Sequence, residues 1–244
     1  MGVMIDLVAA HEPRLWHGLN RARLAIETPL MRAGAVYRGS ASSGAVALTF
    51  DDGPDPRWTP RILEALESAG ARATFFCLAT ALEAHPALAR EVAVRHEVGT
   101  HLYDHSRAPM GSAETFAAEV ARSLAVHERV LGHRPTALRF PHGHAGKVRA
   151  AQLARLGLRA YHWTFSSEDS SASEGAPVLA RVRLRLAPGC IVLLHDGRGA
   201  GSTLGPGHRE ATVAALPGIL AAIAERGLDA VTLAELERRS AAGR

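Results

Sequence analysis

The sequence has little of what several classes of protein require. Only 5% of its 244 residues are aromatic, and lysine occurs once, at Lys147, so the net charge of +4 comes from arginines spread along the chain. A nucleic-acid binder needs a clustered basic surface or stacking aromatic side chains, and this composition provides neither. No apolar run reaches the roughly 20 residues that cross a bilayer. We therefore expect no transmembrane segment and no nucleic-acid partner.

Cysteines are also few, and no leader sequence stands out. Cys77 and Cys190 each lie in an apolar run, where a thiol usually behaves as a small buried hydrophobe. Residues 1–10 contain Asp6 and lack a basic stretch before an apolar run, so they do not resemble a secretion signal. The sequence thus predicts a protein that is cytoplasmic or peripheral to the membrane, and it leaves the oligomeric state open.

The chain contains enough apolar residues for one large core, with 47% hydrophobic and 21% charged residues. Residues 1–44 include a weakly amphipathic stretch around Trp16 and Ile26 and end in a link of small residues. We interpret them as an N-terminal extension that precedes a single domain over residues 45–240.

Within that domain, short apolar runs alternate with segments of helical periodicity, which predicts a parallel α/β fold. Polar residues follow five of the predicted strands. In an open sheet, a site forms in the crevice between two or three strands, whereas a barrel brings all strand ends to one face, so a barrel is favoured. The predicted strands are residues 46–50, 73–78, 97–101, 137–140, 160–165, 190–194 and 230–233.

Two predicted helices are well marked in the sequence. Thr59 can cap the first helix, Pro60 suits its first turn, and Gly70 follows its end. A second helix is expected between Ser112 and Gly132, which are residue types that commonly precede and follow helices.

The residues after the first and third strands suggest a metal site. Asp51 and Asp52 are adjacent carboxylates that repel each other unless a metal ion or an arginine lies nearby. His101 and His105 have the spacing at which one helical turn presents two imidazoles to one ion. One carboxylate and two imidazoles leave coordination positions open, which is typical of catalytic zinc. Taken singly, the acidic pair could equally be a turn, and the histidine spacing a coincidence.

The later strand ends are ambiguous when each is considered alone. Arg139 can neutralise and orient a carboxylate, but it can equally belong to a surface ion pair. His195 follows a very apolar strand, where a lone histidine is more often a satisfied core residue than a catalytic one.

Together, in order and spacing, these motifs resemble the polysaccharide deacetylases that share the chitooligosaccharide deacetylase (NodB) homology domain, also called carbohydrate esterase family 4. The resemblance covers about residues 45–236. It implies a deformed (β/α)7 barrel in one domain, with a metal site at the strand ends. The motifs that carry it are Thr49-Phe50-Asp51-Asp52-Gly53-Pro54, Ala73-Thr74-Phe75-Phe76, Gly99-Thr100-His101 with His105, Arg139 with Pro141, and Leu193 with His195-Asp196.

By this resemblance, Asp52, His101 and His105 hold a divalent metal, most often Zn2+, with Co2+, Mn2+ and Ni2+ as alternatives. Asp51 is the general base, and Arg139 orients it.

The resemblance also implies that His195 is the general acid and that Asp169 tunes it. His142, Trp163 and Leu193 are expected to contact the substrate. The activity implied is hydrolysis of a linear amide, removing an N-acetyl group from a carbohydrate such as chitooligosaccharide or peptidoglycan. Two alternatives stay open, an O-acetyl esterase of the xylan type and a catalytically inactive barrel that binds glycan.

Three positions depart from the family pattern. Leu102 follows the first metal histidine where the family usually has Ser or Thr, and His142 stands where Tyr is usual. Ser170 occupies the position of a Trp that commonly walls the acetyl pocket. We therefore expect a wider or more polar pocket with the same reaction chemistry.

Overall fold

The structure is a computed structural model that describes residues 34–106, 112–143, 145, 150–199 and 209–242. Within these residues, eight strands and eight α-helices follow one another along the chain. The strands are β1 (Ala45–Asp51), β2 (Thr74–Cys77), β3 (Glu97–Thr100), β4 (Ala137–Leu138), β5 (Arg159–Ala160), β6 (Phe165–Ser166), β7 (Ile191–His195) and β8 (Asp229–Val231). The helices are α1 (Thr59–Ser68), α2 (Ala79–Ala84), α3 (Pro86–Arg95), α4 (Ala113–Leu131), α5 (Ala150–Arg155), α6 (Gly175–Arg185), α7 (Glu210–Ala224) and α8 (Leu233–Ala242).

The strands form one parallel sheet in the order β5-β4-β3-β2-β1-β7-β6, and β8 pairs with the beginning of β1. The sheet curls into a half-barrel with helices around it, which confirms the deformed (β/α)7 barrel expected from the sequence. Since β1 lies between β2 and β7, its last residue, Asp51, is flanked by Phe76 on one side and His195 on the other.

β1 shows how the sequence divides the core from the site. All seven of its residues are buried, because the strand is covered on both faces. One face packs into the main core beneath the helices through Val46, Leu48 and Phe50. The other face begins with small apolar residues, Ala45 and Ala47, and ends with Thr49 and Asp51, so the barrel interior becomes polar toward the carboxyl ends of the strands.

The fifth predicted strand is interrupted in the structure. Instead of one run over residues 160–165, β5 and β6 are two-residue strands separated by residues 161–164. The carbonyl oxygens of Tyr161 and His162 accept hydrogen bonds from the Arg139 side chain. Backbone groups that would continue a sheet are therefore used to hold a buried cation.

Both marked helices are present, but only one of the two predicted caps is. Ser112 caps α4 in a reciprocal capping box with Thr115, and Gly132 ends this helix with φ of 82°. Thr59 begins α1, yet its hydroxyl donates to Asp196 Oδ2 at 2.6 Å and no side chain caps the helix. The prediction for Thr59 was wrong because Thr59 is already the first helical residue, and its oxygen accepts from the Asp55 N–H at 2.8 Å.

Most of the predicted N-terminal extension, residues 1–33, lies outside the described residues, as does its amphipathic stretch, so the division at residue 44 stays a prediction. Residues 35–39, which we call the strap, run between the ends of β5 and β7: Val36 bridges to Tyr161, and Arg38 bridges to Cys190. Cys77 and Cys190 are buried free thiols, as expected. None of the helices in the described part of the chain is long and apolar enough to span a bilayer.

Candidate active site

The predicted site residues meet at the carboxyl ends of the strands, around a cavity of about 570 Å³. Two of the ten predicted site residues, Arg139 and Asp169, are fully buried beneath the cavity and do not line it. The other eight line it: Asp51, Asp52, His101, His105, His142, Trp163, Leu193 and His195.

Asp52, His101 and His105 form a compact group of metal-ligand types. Their ligand atoms all lie within 4.8 Å of one another. The Nε2 atoms of His101 and His105 are 3.6 and 3.5 Å from Asp52 Oδ1, and that buried oxygen has no hydrogen-bond partner among the described residues. A buried carboxylate oxygen facing two imidazole nitrogens is costly alone and fits a divalent cation.

The His101 ring is prepared to bind as a neutral ligand. His101 Nδ1 lies 2.8 Å from the carbonyl oxygen of Arg139, which leaves Nε2 as the lone-pair nitrogen when the ring is neutral. Burial is the main reason that the pKa of His101 falls to about 3. Asp52 and His105 adopt φ of 78° and 69°, a region that non-glycine residues rarely occupy and that is often found at functional sites.

Arg139 holds Asp51 from inside the barrel. Its Nη1 donates to Asp51 Oδ1 at 2.8 Å and to Thr49 Oγ1 at 2.7 Å, and its Nη2 donates to the His162 carbonyl at 2.8 Å. The second oxygen, Asp51 Oδ2, lies 3.9 Å from His101 Nε2, on the side of the metal-ligand group. Because Arg139 is fully buried, the alternative of a surface ion pair does not apply to it.

Asp169 and His195 form a second, fully hydrogen-bonded pair. Asp169 Oδ1 accepts from His195 Nδ1 at 2.9 Å and from Ser167 Oγ at 3.0 Å. Its Oδ2 accepts from the His195 backbone N–H at 2.8 Å and from Thr212 Oγ1 at 2.7 Å. Burial opposes ionisation of both groups, but their mutual attraction prevails, lowering the pKa of Asp169 to about 2 and raising that of His195. The His195 imidazole thus borders the cavity in surroundings that favour its protonated form.

Asp196 ties the end of β7 to the loop after β1. Its Oδ1 accepts from the Gly53 N–H at 3.1 Å, and its Oδ2 accepts from Thr59. A Cβ at Gly53 would lie 2.1 Å from Asp196 Oδ2, so only glycine fits there. Burial raises the pKa of Asp196 to about 7, since two hydrogen bonds compensate only part of its lost hydration.

Arg209 is a site residue that the sequence reasoning missed. It directly precedes α7 and is 1% exposed. Its Nε donates to the Gly197 carbonyl at 2.7 Å, its Nη2 lies 3.4 Å from Asp52 Oδ2, and its Nη1 is buried without a partner. The adjacent carboxylates had indicated a nearby positive charge, but no motif distinguished Arg209 from the other arginines.

Aromatic side chains build one wall of the cavity. The His142 ring stands edge-on to His105 with centroids 4.3 Å apart, and the backbone of His142 has φ of 57°. The Trp163 ring lies 3.7 Å from that of His162, and a Cβ at Gly143 would lie 2.6 Å from Trp163. The wall is therefore closely packed.

Two of the positions that depart from the family pattern have different surroundings. Leu102 is buried in an apolar cluster behind the histidines, with φ of 66°. Ser170 is exposed and borders the cavity. Replacing an aromatic residue at this position by serine therefore affects the mouth of the cavity and leaves the ligand group unchanged.

A larger cavity, of about 1240 Å³, lies between α1, α7, β8 and α8 and contains none of the predicted site residues. Charged groups on its walls pair with one another, as Arg239 does with Asp229 at 2.7 Å and with Glu235 at 2.7 Å. Because its polar groups do not converge on a common point, the smaller cavity is the better candidate for chemistry.

Comparison with known proteins points in the same direction. The sequence model of the family described as polysaccharide deacetylase matches residues 38–161. The chitooligosaccharide deacetylase of Bradyrhizobium sp. (strain ANU 289) is 32% identical over 213 residues, which cover 85% of this chain and 97% of that protein.

Solved structures share the fold. The Bc1960 peptidoglycan N-acetylglucosamine deacetylase superposes with a TM-score of 0.74 at 26% identity, covering 83% of this chain and 92% of that one. BA3943 of Bacillus anthracis, a CE4 family pseudoenzyme, superposes with a TM-score of 0.75 at 23% identity, covering 84% and 69%. A common fold therefore does not by itself imply catalysis, because activity depends on the residues of the site.

Proposed function

Because the chain belongs to the polysaccharide deacetylase family, we propose that it hydrolyses the N-acetyl group of N-acetylglucosamine units in a glycan, releasing acetate and a free amine. The observation that carries this proposal is the position of the Asp52, His101 and His105 group beside Asp51, in a cavity that His195 also lines. Metal ligands, a base and an acid around one cavity are the requirements of metal-assisted amide hydrolysis.

Asp52, His101 and His105 are the proposed metal ligands. One carboxylate oxygen and two imidazole nitrogens suit Zn2+ and leave positions open for water and substrate, although Co2+, Mn2+ and Ni2+ accept the same donors. When bound, the metal polarises the acetyl carbonyl and makes a water molecule more acidic.

Asp51 is the proposed general base. Arg139 holds its Oδ1, so Oδ2 is the oxygen that accepts the proton from the water attacking the acetyl carbon. The buried guanidinium also places a positive charge beside Asp51, whose chain neighbour Asp52 is a second carboxylate. The negative charge that develops on the carbonyl oxygen is stabilised by a backbone N–H near His142.

His195 is the proposed general acid. Asp169 accepts the hydrogen bond from Nδ1, so the proton on Nε2 is the one transferred to the nitrogen as the carbon–nitrogen bond breaks. Asp169 raises the pKa of His195, which favours the protonated imidazole that a proton donor requires.

Trp163 and Leu193 give the cavity an apolar side that suits the acetyl methyl group. Ser166 and Ser170 border the same space and make its mouth polar. The relatives are named for chitooligosaccharide and for peptidoglycan N-acetylglucosamine, so glycans containing N-acetylglucosamine are the proposed substrate class.

The test combines metal analysis with an acetate assay on purified protein. The wild type, the double variant His101→Ala/His105→Ala, and the control His133→Ala, which changes an exposed histidine, are compared after loading with Zn2+. We expect one equivalent of metal and acetate release from N-acetylglucosamine oligomers in the wild type and the control. We expect both to be lost in the double variant.

The other outcomes assign the alternative functions. Acetate released from acetylated xylan but not from N-acetylglucosamine oligomers would identify an O-acetyl esterase. Bound metal without acetate from either substrate, after loading with Zn2+, Co2+, Mn2+ or Ni2+, would identify a barrel that binds glycan without turnover.

A further inference from the structure

The strap, residues 35–39, makes contacts that reach the proposed catalytic base. β5 and β6 are the two ends of the strand order, so the curled sheet has a seam between them. The strap lies at this seam. The Val36 N–H donates to the Ala160 carbonyl at 2.9 Å, and the His162 N–H donates to the Val36 carbonyl at 2.8 Å.

A second set of contacts joins the strap to β7. Thr164 Oγ1 donates to the Tyr37 carbonyl at 2.7 Å and accepts from the Ile191 N–H at 2.9 Å, so one hydroxyl links the strap to the strand that ends at His195. The Gly39 N–H donates to the Gly189 carbonyl at 2.8 Å. Residues 161–164 are therefore held on both sides by hydrogen bonds that involve the strap.

The ring of Tyr37 continues this support toward the cavity. Tyr37 stacks on His162 with centroids 5.0 Å apart and an interplanar angle of 27°, and the His162 ring contacts the Trp163 ring in a tilted arrangement. The carbonyls of Tyr161 and His162 accept from Arg139, and Arg139 holds Asp51. A continuous series of contacts thus runs from Tyr37 through His162 and Arg139 to Asp51.

We infer that Tyr37 is a positioning residue for the reaction, which fixes Arg139, and through it Asp51, by stacking on His162 across the barrel seam. The expected effect of Tyr37 on kcat rests on the proposed function. The metal ligands Asp52, His101 and His105 follow β1 and β3, whereas the strap pairs with residues beside β5 and β7, so we expect metal binding to be independent of Tyr37.

The test uses the full chain with three substitutions: Tyr37→Ala, which removes the ring; Tyr37→Phe, which keeps it; and Arg38→Ala, a control at an exposed strap residue that donates to Pro188. We expect Tyr37→Ala to lower kcat by about tenfold to a hundredfold, because small misplacements of catalytic groups have effects of that size. KM and the affinity for Zn2+ remain near the wild-type values. Tyr37→Phe restores most of kcat, and Arg38→Ala leaves it unchanged.

Two further measurements separate positioning from a general loss of structure. In an Arg139→Lys background, Tyr37→Ala should lower kcat much less than in the wild type, because the series of contacts is already broken. In the arginine side-chain NMR spectrum, the Nε–H signal of Arg139 should exchange with solvent slowly in the wild type and Tyr37→Phe, and faster in Tyr37→Ala.

An unchanged kcat in Tyr37→Ala, or a loss of Zn2+ that matches the loss of kcat, would overturn the inference. An unchanged Arg139 signal in Tyr37→Ala would also overturn it. If the wild type released no acetate at all, the proposed function would fail, but the Arg139 signal would still decide whether Tyr37 positions this arginine.

Discussion

Asp52 and Asp169 are both buried aspartates at the carboxyl end of the same sheet, yet their surroundings differ. Each oxygen of Asp169 accepts two hydrogen bonds, all between 2.7 and 3.0 Å. Asp52 has one oxygen without a hydrogen-bond partner and a second oxygen with only a 3.4 Å contact to Arg209.

The difference separates two tasks that buried carboxylates can have. A fully bonded carboxylate is rigid and stabilises a neighbouring cation, as Asp169 does for the His195 imidazolium. A carboxylate with an unpartnered oxygen is destabilising until a cation arrives, so it is suited to binding a metal. Asp169 therefore contributes to the folded state by itself, whereas Asp52 contributes chiefly through what it binds.

The largest effect is expected from Asp52→Asn. The amide is a weak metal ligand, so bound metal and acetate release should both be lost, the latter by about a thousandfold or more, since the metal supplies several kcal/mol. In the metal-free protein, the free energy of unfolding should change by less than about 1 kcal/mol, because the weakened 3.4 Å contact with Arg209 is offset by the loss of repulsion between Asp52 and the neighbouring Asp196. Elemental analysis, the acetate assay and urea unfolding check these outcomes. A large loss of stability without metal would show that Asp52 is a structural residue like Asp169.

Asp169→Asn should have the opposite effects on metal content and stability: the metal stays bound and the metal-free protein is destabilised. Losing the carboxylate removes the partner that keeps His195 protonated and oriented, so kcat should fall by about a hundredfold to ten-thousandfold. Several of the four hydrogen bonds are weakened, so the metal-free protein should lose about 3 kcal/mol of stability. Bound metal should stay at one equivalent. Loss of metal from this variant would mean that the two carboxylates are not independent.

Arg209→Met tests the cation next to Asp52. In the metal-free variant, Asp52 stays buried with less compensating positive charge. The free energy of unfolding of this variant should therefore fall by about 3 kcal/mol. With metal bound, the loss should be smaller, because the ion supplies the missing positive charge. By thermodynamic linkage, the affinity for Zn2+ should then be equal to or tighter than that of the wild type. Chelator competition and unfolding with and without Zn2+ measure both quantities, and a weaker affinity would contradict the prediction.

The smallest expected effect is the pH dependence of the Asp169 and His195 pair. The pKa of Asp169 is about 2 in the folded state and about 3.9 unfolded, so its contribution is present above pH 4 and is lost as the pH falls toward 2. The pKa of His195 is raised, so its contribution is present below about pH 6.5, its unfolded pKa, and is lost as the pH rises through the folded value.

The stability difference between metal-free wild type and Asp169→Asn should therefore be greatest near pH 5 and smaller at pH 3 and pH 9, with Asp169 accounting for about 2 kcal/mol of it. Urea unfolding at the three pH values measures the difference directly. A difference that does not vary with pH would mean that the pair is not ionised in the folded protein.

The sequence was sufficient to predict the barrel and the positions of the residues around the cavity. Apolar runs identified six of the seven expected strands as continuous elements, and the paired motifs at strand ends identified the cluster of Asp52, His101 and His105. These features are local or depend on one strand, so their pattern is visible in a linear sequence.

Features that depend on distant contacts were not predictable. Arg209 is 157 residues from Asp52, and its role depends on the path of the chain before α7. The interruption between β5 and β6 depends on Arg139 taking the carbonyls of Tyr161 and His162, and nothing in residues 160–165 indicates it. Thr59 had the residue type of a helix cap, but it lies inside the helix, where its hydroxyl binds a carboxylate 137 residues away.

The central position of β1 also has a consequence during synthesis on the ribosome. This strand is made early, but its neighbours β7 and β8 are made near the end of the chain. At translation rates of about 5 to 20 residues per second, the buried strand Ala45–Asp51 waits on the order of ten seconds for β7 to emerge. During that interval β1 has no β7 to pair with, and an unpaired strand edge makes a folding chain prone to aggregation.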